Sequence, residues 1–177
     1  MQIETERLVL RPFETGDLPG FAALNADPLV RRHFPGVLTA EESSEQMERM
    51  QAGFARDGFA FAAVERREDG AFLGMAGLAR FAGAGPLGPS VEIGWRFAAA
   101  YWGQGYATEA ARGWLDWGFA QGLARIVAFT VAENHPSQAV MERVGMLRDP
   151  GLDFDHPKLP AGHPLRRHLV WRAEAPL

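Results

Sequence analysis

The first eleven residues alternate, with Leu8 and Leu10 on one side and Arg7, Val9 and Arg11 on the other, and Pro12 closes the run. This predicts an edge strand over 3–11. Asp17 is placed to cap a short helix carrying Leu18, Phe21, Ala22 and Leu24, which Asp27-Pro28 ends. Thr39, Glu41 and Glu42 form an acidic helix start, and Met47, Met50 and Phe54 follow at helical spacing until Gly58 breaks the pattern. Strands are predicted over 59–65 and 72–78, joined by a turn whose Asp69-Gly70 is a strong hairpin signal. A Gly- and Pro-rich loop at 81–89 separates them from a strand at 91–97. A long helix over 104–121 follows, with Ala107, Ala110, Ala111, Trp114, Leu115 and Gly118 as its inward stripe. Beyond Gly122 come a buried-type strand at 125–131, a shorter helix at 135–144 with Gly145 as its left-handed stop, and a final strand at 166–172. The stretch 149–165 is too long for a plain connection and reads as functional or mobile.

Composition narrows the chemistry. At 177 residues the chain predicts one domain spanning 1–177, with no linker or repeat to divide it. There is no cysteine, which excludes disulfides, thiolate metal sites and a cysteine nucleophile. A formal net charge of −4 gives no basic field, so nucleic acid is not expected as a partner. The N-terminus lacks the apolar core of a signal peptide, and the longest apolar runs are far shorter than a membrane span. A cytoplasmic protein without a membrane partner is therefore expected, as a monomer or homodimer.

The informative stretch is Val91-Glu-Ile-Gly-Trp-Arg-Phe97, followed by Tyr101-Trp-Gly-Gln-Gly-Tyr-Ala-Thr-Glu109. A strand enters a glycine-punctuated turn that opens a long helix, and such a turn aims free backbone N–H groups and the positive helix end at one point. An anion, most naturally a pyrophosphate, fits there. The spacing is neither a P-loop nor the full dinucleotide fingerprint, and glycines also simply permit tight turns.

Taken with Asn134-His-Pro-Ser137, Val140-Met-Glu-Arg-Val-Gly-Met146 and the opening Glu4-Thr-Glu-Arg-Leu-Val-Leu-Arg-Pro12, this stretch resembles the GNAT superfamily of acyl-CoA N-acyltransferases. Within it the chain is similar to the branch of ribosomal-protein N-terminal alanine acetyltransferases. The resemblance implies an α/β (α+β) fold: a mixed, mostly antiparallel six- or seven-stranded sheet with helices on both faces. Its fourth and fifth strands, 91–97 and 125–131, would splay apart to admit acetyl-CoA, used as co-substrate. It also implies that main-chain amides of Trp102, Gly103, Gln104, Gly105, Tyr106 and Ala107 hold the pyrophosphate, with the Thr108 hydroxyl beside them. Ile93, Gly94, Trp95 and Phe97 would pair with the pantetheine arm, and Asn134 would hydrogen-bond it. Two positions depart from the family pattern: Ala100 stands where Gln or Arg is usual, and Met141 where many members carry an acidic tyrosine.

Acyl transfer to an amine needs a neutral nucleophile, a donor for the oxyanion and a way to discharge the thiolate. Glu92 is the candidate base, if burial raises its pKa; otherwise it is a structural acceptor. A backbone N–H near Ile93 or Gly94 would face the oxyanion. Ser137 is the candidate acid, and equally a helix N-cap. Trp95 and Tyr101 are candidate substrate-channel residues together with His33, whose alternative is a solvated turn. Trp114 and Trp117 read as core or partner-face residues, and Arg166, Arg167 and His168 as strand-end charges. Asp153, Asp155, His156 and His163 lack a regular ligand spacing, so no metal is expected and a loop lining the acceptor pocket is the better reading. The function implied is acetyl transfer from acetyl-CoA to a primary amine by direct attack in a ternary complex. A protein N-terminus is the leading acceptor, with a small amine or amino acid as the alternative, and a non-catalytic acyl-CoA-binding module as the rival of another kind.

Overall fold

Residues 1–176 are described by a computed structural model. The chain runs through β1 (Ile3–Glu4), β2 (Leu8–Arg11), α1 (Leu18–Ala26), α2 (Ala40–Asp57), β3 (Phe61–Arg66), β4 (Phe72–Phe81) and β5 (Ser90–Phe97). It continues with α3 (Tyr106–Ala120), β6 (Arg125–Thr130), α4 (His135–Arg143), β7 (Leu147–Arg148), β8 (Phe154–Asp155) and β9 (Arg167–Glu174). The strands form one sheet in the order β1-β2-β3-β4-β5-β6-β9-β7, with β8 added to β9. Every neighbouring pair is antiparallel except β5 and β6. This is the mixed, mostly antiparallel sheet expected, with more segments than six or seven because its ends are broken into short pieces.

One break replaces the single strand expected over 3–11. The Thr5 N–H donates to the Leu8 carbonyl at 2.9 Å, so the chain folds back and Ile3 pairs with Leu10. Leu8 and Leu10 are fully buried, as their alternation requires. Asp17 does not cap α1 with its side chain. Its carboxylate takes two hydrogen bonds from Arg11, at 2.7 and 2.9 Å, and a third from the Glu14 N–H. The acidic start of α2 is a reciprocal capping box: Thr39 Oγ1 accepts from the Glu42 N–H, and Glu42 Oε2 accepts from the Thr39 N–H.

Helices cover both faces. On one face α3 lays Ala110, Ala111, Trp114 and Leu115 against Leu10, Val64, Leu78, Val91 and Ile93. On the other, α1 and α2 bring Phe21, Leu24, Met47 and Met50 onto Ala63 and Met75. The stripe of α3 begins at Tyr106, which is buried, and not at Ala107, which is half-buried. The 149–165 segment is tied down: Phe154 is buried against Val127 and Val170, Asp149 pairs with Arg172, and Asp153 pairs with Arg148.

The middle of the sheet depends on closely approaching backbone. A Cβ added at Gly77 would stand 2.3 Å from the Ala60 carbonyl oxygen and 2.5 Å from Phe61 Cα, both main-chain atoms that cannot swing aside. Gly77→Ala is therefore expected to lower unfolding free energy by at least about 2 kcal/mol in urea denaturation, the cost of an overpacked core position.

Candidate active site

β5 and β6 share a single rung, Glu92 opposite Val127, and then part. Which groups of β5 face the opening follows from its other neighbour. The Ala98 N–H donates to the Leu73 carbonyl at 3.0 Å, in register with the β4–β5 ladder, so the alternate residues Arg96, Gly94 and Glu92 spend their backbone groups on β4. Ile93, Trp95 and Phe97 point theirs at the opening. Since Glu92 faces β4, its rung to β6 is made by its neighbours, which engages the Ile93 N–H. The first unpaired amide beyond the rung belongs to Trp95. Gly94, expected to pair with pantetheine, is turned the wrong way for that, and the Phe97 carbonyl is held by Trp102 Nε1 at 2.8 Å.

At the end of β5 the glycine turn is as the sequence suggested. Gly103 (φ 73°) and Gly105 (φ 83°) are both left-handed, a region that favours glycine. The first helical bond of α3 is Glu109 N–H to the Gly105 carbonyl. Among the described residues, the amides of Gly103, Gln104, Gly105, Tyr106, Ala107 and Thr108 have no protein acceptor outside the helix ladder, which begins only at Glu109. Trp102 differs: its N–H donates to Ala99. Six consecutive free amides at a helix N-terminus fit a pyrophosphate without any lysine.

One continuous cavity of about 1,890 Å³ runs from this turn through the opening to the α1–α2 face of the sheet. Glu92 lines it on that far face. The regular β4–β5 register contains no bulge, so Glu92 points away from Val91 and Ile93 and alongside Gly94 and Arg96. Its carboxylate has no hydrogen-bond partner or ion pair among the described residues, and burial pushes its pKa up to about 7. Gly94 leaves room here for Phe61, whose ring would lie 3.0 Å from an added Cβ. Trp95 projects to the α3 side and packs on that core, so it borders the cofactor half of the cavity and not the Glu92 half.

His33 and Tyr101 also line the cavity. His33 Nε2 accepts from Arg32 Nε at 3.1 Å, and its pKa is lowered by burial and by that neighbouring charge. Asn134, not Ser137, is the N-cap of α4: its Oδ1 accepts from the Ser137 N–H, while its Nδ2 donates to Thr130 Oγ1 at 2.8 Å. One Nδ2 hydrogen remains for a ligand. The Ser137 hydroxyl, freed from capping, lines the cavity with no partner among the described residues.

Residues 7–147 match the acetyltransferase (GNAT) domain. The chain belongs to the GNAT acetyltransferase family. It is similar to the N-acetyltransferase YnaD of Bacillus subtilis, 34% identical over 84% of each chain. Its fold matches a GNAT acetyltransferase from Bacillus anthracis, with a TM-score of 0.82, 29% identity and 99% of each chain covered. It also matches Mycobacterium smegmatis RimJ in complex with CoA-disulfide, with a TM-score of 0.72 and 26% identity over 95% of this chain and 82% of that one. As a GNAT enzyme the protein transfers an acetyl group from acetyl-CoA to an amine.

This GNAT site contains groups that local sequence did not single out. His168, read as a strand-end charge, lines the Glu92 half of the cavity, stacked on Phe154 and edge-on to Phe129. Its Nδ1 lies 3.1 Å from the Arg166 carbonyl and must carry the proton there, so Nε2 bears the lone pair; burial lowers its pKa. Glu109 fastens the N-terminal hairpin to the glycine turn: it accepts from Thr5 Oγ1, the Arg7 N–H and Arg7 Nε at 2.6 to 2.7 Å. Arg7 also donates to the Gln104 carbonyl and covers the Tyr106 ring. No local pattern announces these contacts, which join positions about a hundred residues apart. No group of three or more His, Asp or Glu able to hold a metal occurs among the described residues, and Asp153 and Asp155 are engaged by arginines.

Gly105→Glu would place bulk and negative charge where the amides converge, at a left-handed position. CoA binding measured by calorimetry is expected to fall below detection, while circular dichroism shows the sheet retained.

Proposed function

We propose that the acceptor is the α-amine of a peptide or protein N-terminus, with Glu92 as the base that removes its proton. The observation that carries this reading is the Glu92 carboxyl, unpaired in the cavity wall with a pKa near 7. An α-ammonium group ionises near about 8, so proton transfer to Glu92 is nearly balanced; a simple alkyl ammonium, near about 10, would give up its proton to Glu92 far less readily. Exposed apolar side chains at the rim, Leu29, Phe34 and Trp102, suit a polypeptide passing the mouth.

In this reading acetyl-CoA supplies the thioester, its pyrophosphate on the amides of 103–108 and its arm along the free edge of β5. The Trp95 N–H, the first unpaired amide past the rung, takes the oxyanion contact, displacing the expectation of Ile93 or Gly94. Glu92 takes one proton from the ammonium, the neutral amine nitrogen forms the new bond to the acetyl carbon as the C–S bond breaks, and the second proton lost by that nitrogen replaces the one given to the departing thiolate. Ser137 can donate to the departing thiolate, a role left to it by the buried, apolar Met141. Without a cysteine the transfer is direct.

Three outcomes test this. Glu92→Gln should reduce kcat about 100-fold or more with acetyl-CoA affinity nearly intact, and should abolish the rise of kcat/KM with pH centred near 7 that is expected of the wild-type enzyme. The same substitution should change stability in a pH-dependent way. The folded-state pKa of Glu92 is raised from 4.5 to about 7, so the folded state holds the proton more tightly, and its relative stability is present below 4.5 and lost as pH rises through 7. Thermal melts should therefore show Glu92→Gln gaining on the wild type at pH 8 to 9 and not at pH 4. Ser137→Ala should lower kcat about tenfold, read as free thiol released under saturating substrates.

A further inference from the structure

Four residues beyond Glu92, on the same face of β5, the cavity wall contains a cation without a counter-ion. Arg96 is only 6% exposed. Its Nη1 donates to Asn25 Oδ1 at 2.6 Å and its Nη2 meets Met75 Sδ at 3.1 Å, while its buried Nε has no partner among the described residues. The Phe34 ring lies 5.2 Å from its guanidinium carbon, and the guanidinium carbon of Arg31 lies 4.6 Å from the same ring. Arg31 is also buried, its Nε held by the Gly36 carbonyl. Neither arginine forms an ion pair with a carboxylate among the described residues; Glu42 attracts Arg31 only at a distance. Desolvation and the charge of Arg31 lower the Arg96 pKa to about 9, so at neutral pH it stays charged at an energetic cost. Neutral hydrogen bonds and aromatic faces compensate a buried guanidinium in part, and a carboxylate compensates it fully and in a planar, forked geometry.

Arg96 borders the same cavity as Glu92, and the intervening position on that face is Gly94, which has no side chain to separate them. We propose that Arg96 anchors the acceptor by a carboxylate, and that the amine acetylated belongs to a short or extended peptide whose acidic group lies within about three residues of it. The spacing follows from the strand. Four residues of β5 place the two Cα atoms roughly 13 Å apart, which an extended peptide of three or four residues spans and a free α-amino acid does not. The carboxylate can be an acidic side chain of a protein N-terminus or the C-terminal carboxylate of a free tripeptide. Both present the same group to Arg96. This inference rests on the acceptor site proposed above and adds to it the charge and reach of the substrate.

The test uses matched peptides with acetyl-CoA. Ala-Ala-Glu-Ala-amide is compared with Ala-Ala-Gln-Ala-amide for the side-chain source, and Ala-Ala-Ala with its C-terminal amide for the other. The wild-type enzyme should favour the carboxylate member of at least one pair by about tenfold or more in kcat/KM, and the pair that does so identifies the source. Arg96→Gln, which retains a donor toward Asn25, and Arg96→Met, which fills the space with apolar atoms, should bring that ratio to about 1. Thermal stabilisation by CoA in both variants shows that they fold and bind the cofactor. Calorimetric binding of the N-acetylated Glu and Gln peptides in the presence of CoA gives a readout without turnover. If no peptide releases thiol but the acetylated Glu peptide still binds in an Arg96-dependent way, the α-amine reading fails and the anchor stands. Equal handling of both members of both pairs by the wild type, or a preference that persists in both variants, overturns the anchor.

Discussion

The function of this protein depends on β5 and β6 making one rung and then separating. A parallel pair that continued would satisfy the backbone of both strands and close the sheet. By parting after Glu92 and Val127, the strands leave polar main-chain groups of β5 exposed to a cavity, where a ligand can complete the ladder. The two helical layers make the separation tolerable. Each face of the sheet has its own buried cluster, so the gap in the middle interrupts hydrogen bonding without dividing a core. The gap also connects the faces. The glycine turn at the start of α3 lies on one side and Glu92 on the other, and one cavity joins them through the sheet.

The same opening accounts for the electrostatics. Six free main-chain amides at the glycine turn offer a site for negative charge that needs no basic patch, so a net charge of −4 is compatible with an anionic co-substrate. Among the described residues Glu92 has neither a donor nor a cation, and desolvation alone raises its pKa. Burial lowers the pKa of His168 and so favours its neutral form, against the opposing pull of its hydrogen bond to the Arg166 carbonyl. The cavity wall around Glu92 and His168 therefore carries little fixed charge. Arg96 stands apart from that neutral zone, four residues along the strand.

What sequence made legible was local. The αL glycines at 103 and 105, the 3.6-residue stripe of α3 and the alternation of β2 each write their geometry into adjacent residues, and the structure agrees with them. The side on which Glu92 projects could not be read, because alternation alone does not say whether a bulge intervenes; the unbroken β4–β5 register decides it. His168, Arg96 and the Glu109 contacts were not legible, because their meaning lies in pairings between distant segments. His168 becomes a cavity residue only through the rung that sets it opposite Phe154, and Arg96 becomes an unpaired cation only once α1 presents Asn25 and no acid. Ser137 misled for the opposite reason: a serine near a helix start is a common cap, yet the preceding asparagine takes that position.

The Glu109 clamp ties the N-terminal hairpin to the glycine turn. Thr5 and Arg7 are held by a carboxylate in the first turn of α3, and Arg7 reaches on to the carbonyl of Gln104 between the two turn glycines. The turn and the hairpin are thus two parts of one ordered unit, and their stabilities are reciprocally linked. A ligand that orders the amides of the turn also strengthens the hold on β1 and β2, and an unfastened hairpin imposes its ordering cost on every binding event. Loss of the first eleven residues would be felt at the glycine turn, about a hundred residues further along the chain.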